Sequence, residues 1–102
     1  MAVVSSERRD RAVELAKRTA TALRDLGVEV KIIGSLAKGS FGERSDIDFV
    51  VMLCPEELKY RIEGLVEDCL MGFKFDVVYF DEIPPHRLER FMEGAIDASD
   101  LC

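Results

Sequence analysis

The chain has 102 residues, 48% of them hydrophobic and 33% charged, which suits one soluble globular unit and excludes a disordered or fibrous chain. Its 20 acidic residues outnumber its 14 lysines and arginines for a formal net charge of -6, the opposite of the cation excess with which proteins neutralise long nucleic acid. No apolar run approaches the roughly 20 residues that span a bilayer, and the first ten residues lack the apolar stretch of a signal peptide.

Cys54, Cys69 and Cys102 are odd in number and widely spaced, so neither a disulfide framework nor a zinc site is expected. These features together predict a cytoplasmic protein with free thiols, folded as one domain over residues 1–102.

Ser5 and Ser6 read as caps of a helix in which Ala12, Leu15, Ala16, Ala20, Leu23 and Leu26 recur at three- and four-residue steps, with Gly27 at its end. Residues 28–33 read as a strand rich in β-branched side chains and stopped by Gly34. From Gly34 to Ser45 three glycines and three serines stand among charges, which predicts a loop apart from one helical turn near Leu36 to Lys38. Residues 46–53 form a second predicted strand. Its period of two puts Asp46, Asp48 and Val50 on one face and Ile47, Phe49 and Val51 on the other.

Pro55, Glu56 and Glu57 suit the start of a helix, and Leu58, Ile62, Leu65, Val66, Cys69 and Leu70 supply its apolar stripe before Gly72. Residues 73–80 predict a third strand, apolar except for Lys74 and Asp76. Pro84 and Pro85 then precede a last helix in which Leu88, Phe91, Met92 and Ile96 share a side, with a frayed tail from Asp97. The order helix, strand, strand, helix, strand, helix places the chain in the α/β (α+β) class. The expected architecture is a small mixed β-sheet of three or more strands flanked by helices.

Gly34-Ser35 by itself is a strand-ending turn, or a place where backbone can approach a phosphate. The spacing of Gly34 and Gly39 matches a P-loop, but Ser40 and Phe41 stand where that motif requires Lys and then Ser or Thr. Asp46-Ile47-Asp48 by itself would suit a solvated strand edge. The apolar run Phe49 to Leu53 instead indicates an interior strand covered on both faces.

Two carboxylates about 4 Å apart repel by roughly 4 kcal/mol at an effective dielectric near 20. Mg²⁺ or Mn²⁺, which share oxygen ligands with phosphates, offset that repulsion well. Asp76 is either one partner of a salt bridge or, if the third strand lies beside the second, a third carboxylate of the cluster. Lys31, Lys38, Arg44 and Lys74 provide local positive charge for a small triphosphate.

Gly34-Ser35, ten intervening residues, Asp46-Ile47-Asp48 and a later aspartate on an apolar strand closely resemble the minimal nucleotidyltransferases of the DNA polymerase β superfamily. The resemblance implies the nucleotidyltransferase fold, with Gly34, Ser35 and Lys38 holding a nucleoside triphosphate. It also implies that Asp46, Asp48 and Asp76 are catalytic ligands of Mg²⁺ or Mn²⁺. The implied reaction moves a nucleoside monophosphate, AMP from ATP by family habit, to a hydroxyl acceptor.

Minimal members are often encoded beside a helical HEPN-type protein and act as its antitoxin, some by adenylylating a tyrosine of that toxin. A HEPN-type partner, or a homodimer, is implied in the same way. Two rival readings keep the fold without turnover: a module that blocks a partner by docking, and a nucleotide-binding regulator. His86 reads as a surface or capping residue, and Phe41 and Tyr79 as core or loop anchors outside the site.

Overall fold

Strands β1 (Glu29–Ile33), β2 (Ile47–Leu53) and β3 (Phe75–Tyr79) form one sheet in the computed structural model, which describes residues 3–101. β2 lies in the middle, antiparallel to β1 and parallel to β3. The parallel pair requires a crossover, and α3 (Ile62–Leu70) supplies it. The mixed sheet with helical cover is as the sequence predicts.

Strict alternation along β2 divides the interior in two. Ile47, Phe49 and Val51 enter the larger core, where they meet Leu15, Ala16 and Leu23 of α1 (Val3–Arg24) and Ile62, Val66 and Leu70 of α3. Val50 enters a smaller core on the opposite face with Ile33 and Ile83, packed under Leu88, Phe91 and Met92 of α4 (Pro85–Met92). β2 is therefore the doubly covered strand that its apolar run implies.

Four local expectations are corrected. Ser5 and Ser6 lie within α1, which begins at Val3, and not ahead of it. The helix expected from Pro55 is interrupted: residues 56–58 make a single 3₁₀ turn, Tyr60 takes φ +70°, and α3 starts at Ile62. The Tyr60 N–H donates to the Tyr79 hydroxyl at 3.1 Å instead of joining a helical ladder.

Ile96 is not on α4 but pairs with Ile32 in a short antiparallel bridge, N–H to carbonyl in both directions at 2.8 and 3.0 Å. Finally, the tail is ordered: residues 98–100 form a turn that buries Ala98 and Leu101 in the larger core. An open edge on β1 and uncovered apolar surface beside α1 attract this segment, because unpaired strand edges and bare apolar surface are both costly.

Phe49 is fully buried at the centre of the sheet. Phe49→Ala should lower the unfolding free energy by about 3–5 kcal/mol, the usual loss for a deleted core aromatic, as measured by urea titration followed by circular dichroism.

Candidate active site

The strand register gathers the candidate residues at one end of the sheet. Ile33, the last residue of β1, lies opposite Asp48, and Asp48 lies opposite Asp76 on β3. Gly34 continues from Ile33 into the short helix α2 (Gly34–Lys38). Gly34 takes φ +74°, and a Cβ there would collide with Asp48 Oδ2 and stand 3.2 Å from its Cγ. Glycine is thus required by both conformation and space, and the Gly-Ser and Asp-x-Asp motifs are in direct contact.

Asp48 is partly buried. Its pKa is raised from 3.8 to about 6, first by burial, then by the charge of Asp76, then by that of Asp46. Asp76 itself is exposed on β3, so the cost of burial falls on Asp48. Asp46 lies one residue before β2 and borders a shallow depression of about 450 Å³ with Glu67 and Lys74.

Asp48 and Asp76 are therefore side by side, with Asp46 in electrostatic reach. Among the described residues, no three His, Cys, Asp or Glu side chains already converge on one metal position. The donor set is nonetheless all carboxylate, the hard oxygen type that suits Mg²⁺ or Mn²⁺. A cation beside Asp48 would offset the like-charge repulsion that raises its pKa.

Ser35 is partly buried in α2, and its carbonyl accepts the Ser40 N–H at 2.9 Å. Lys38 is exposed and its stem passes over Gly94, where a Cβ would lie 3.6 Å from both Lys38 Cγ and Cε. Lys38 and Gly34 line one side of a cleft of about 640 Å³. Of the other cations considered, Lys31 is drawn away into an ion pair with Asp97 at 3.4 Å.

The loop before Asp46 is fixed by Ser45 within it and by Arg8 of α1. Ser45 Oγ accepts the Gly42 N–H at 2.9 Å, which closes a tight turn. The Arg8 guanidinium lies 5.5 Å from the Phe41 ring centre and 4.9 Å from that of Phe73. It donates to the carbonyls of Gly42 at 3.3 Å and Ser45 at 3.5 Å. A signal was present: Arg8 stands four residues before Ala12, in line with the apolar stripe of α1, and so faces inward.

Residues 14–98 match the nucleotidyltransferase domain family, and the chain belongs to that family. Its fold is also similar to a solved structure provisionally assigned as a minimal nucleotidyltransferase, with a TM-score of 0.63, 24% sequence identity and 89% of each chain covered. No curated protein sequence matches it significantly.

Two outcomes follow from this geometry. A pKa shift from 3.8 to about 6 corresponds to roughly 3 kcal/mol, and solvent screening of a partly exposed group reduces this to about 1–2 kcal/mol. Because the folded-state pKa is raised, the cost is full at pH 8, eases as pH falls through about 6 and is gone below 3.8. Asp48→Asn should therefore stabilise the metal-free protein at pH 8 and give little gain at pH 4, in urea titrations at both pH values.

Arg8→Ala removes two cation–π contacts and two hydrogen bonds, together about 2 kcal/mol. Amide hydrogen exchange at residues 42–46 should rise by about thirtyfold, with exchange in α3 unchanged.

Proposed function

We propose that the chain acts as a single metal-dependent nucleotidyltransferase domain that transfers AMP from ATP to a hydroxyl acceptor, a tyrosine on a helical HEPN-type partner protein. The observation that supports this best is the contact between Gly34 and the Asp48 carboxylate, with Asp76 in register beside it. A backbone stripped of side chain and a carboxylate pair meet where a phosphate chain and its cation would both have to be held. Membership of the nucleotidyltransferase domain family supports the reaction class. ATP, the tyrosine and the HEPN-type partner rest on the resemblance to minimal members.

Asp46, Asp48 and Asp76 would hold the divalent cation, and Gly34, Ser35 and Lys38 the triphosphate. Mg²⁺ or Mn²⁺, when bound, lowers the pKa of the acceptor hydroxyl and neutralises charge on the α-phosphate and on the departing pyrophosphate. Gly34 lets the phosphate chain approach the backbone closely, and the Lys38 ammonium offsets its charge. The acceptor oxygen bonds to the α-phosphorus, the bridging bond to the β-phosphate breaks, pyrophosphate leaves with the bonding electrons, and the hydroxyl proton passes to water. Arg8 keeps the loop that delivers Asp46 in place, so that the carboxylates need not be ordered anew in each turnover.

The test is transfer of label from α-labelled ATP, with Mg²⁺ or Mn²⁺, to a co-expressed helical partner. Wild-type protein should label a partner tyrosine, and Asp48→Asn should reduce the rate by about a thousandfold. Neutralisation of the partner that survives in full with both Asp46→Asn and Asp48→Asn would sink the catalytic reading in favour of docking.

A further inference from the structure

The cleft beside Gly34 gathers positive charge. In a chain of net charge -6, Lys38 on one side and His86, Arg87 and Arg90 of α4 on the other line a space of about 640 Å³, with Glu93 its sole acid. Lys31 and Lys59 both have carboxylate partners. By contrast, Lys38, Arg87 and Arg90 form no ion pair among the described residues. Three unneutralised cations around one concavity repel each other, and an anionic occupant relieves that repulsion.

Position identifies the occupant. The cleft begins at Gly34, whose backbone packs against Asp48, so an anion chain whose reacting end lies over Asp48 has its far end among the α4 cations. α4 lies on the same sheet face as Asp48, because Ile33, opposite Asp48, shares its core with Leu88, Phe91 and Met92. Guanidinium groups match tetrahedral phosphate oxygens with paired donors, which ammonium groups do not. A small cleft on an acidic protein favours a short polyphosphate over a nucleic-acid backbone.

We infer that Arg87 and Arg90, with His86 and Lys38, form a polyphosphate subsite that grips the terminal phosphates of the nucleotide donor and makes the site select triphosphates over diphosphates. This rests on the nucleotidyl-transfer reading, which makes a triphosphate the donor. The subsite itself is open to a direct binding test.

The probe is inorganic tripolyphosphate, titrated calorimetrically into metal-free protein with chelator present, and compared with pyrophosphate. Wild-type protein should bind tripolyphosphate more tightly than pyrophosphate. The double variant Arg87→Gln, Arg90→Gln should lose about a hundredfold in tripolyphosphate affinity and most of the chain-length preference. Both arginines are exposed, so folding should be intact, and Arg90→Glu should give a larger loss than Arg90→Gln. Arg24→Gln, a cation at the far end of α1, should change affinity by less than about twofold because screening removes distant charges.

No binding by wild-type protein, undiminished binding by the double variant, or an equal loss from Arg24→Gln would each overturn the subsite. Polyphosphate binding without transfer from labelled ATP would overturn the reaction and leave the subsite standing. Transfer that is indifferent to both arginines would do the reverse.

Discussion

The contact between Gly34 and the Asp48 carboxylate is the constraint around which the rest of this small structure is arranged. It needs a residue without Cβ at the end of β1, a positive φ at that residue, and a carboxylate opposite Ile33 on the neighbouring strand. Each is set by a different element. β1 must stop where β2 starts, α2 must turn the chain away at once, and the loop 39–45 must be long enough to return to β2 with Asp48 two residues into the turn-facing end.

That arrangement requires a rigid central strand, and the division of β2 between two cores provides it. Phe49 and Val51 are locked by α1 and α3, and Val50 by Ile83 and the underside of α4. The same packing withdraws Asp48 partly from water and gives it an acidity far from that of a free carboxylate. Stability and electrostatic tension therefore have one source: the sheet that fixes the aspartates also brings their charges together and draws Asp48 partly out of water.

Much of this was legible in the sequence because it depends on short-range pattern. The period of two along residues 46–53, the Gly-Ser stop and a helical crossover allow Asp48 to lie beside Asp76 if the third strand joins the second, and the strand register puts it there. What was not legible depends on partners far along the chain. Tyr60 breaks the expected helix through its hydrogen bond to Tyr79, and Ile96 leaves its helical stripe for a bridge to Ile32. Arg8 reaches carbonyls 34 and 37 residues away. The exposure of Asp76 depends on β3 being an edge strand, and no pattern within residues 73–80 states that. His86, read from the sequence as a surface or capping residue, lines the cleft beside Gly34 because α4 folds back over the sheet.

The bridge between Ile32 and Ile96 has a consequence for how the cleft meets a ligand. α4 is anchored before its first turn by buried Ile83 and after its last by a pair of backbone hydrogen bonds to β1, while Leu88, Phe91 and Met92 hold its middle. A helix fastened at three points cannot swing as a free flap. Its arginines are presented on a preorganised wall, so the ordering of the helix is complete before any anion arrives and little association energy is diverted into it. Selectivity on such a wall comes from the fixed spacing of the cations, and a ligand of the wrong length meets a frame that does not close around it.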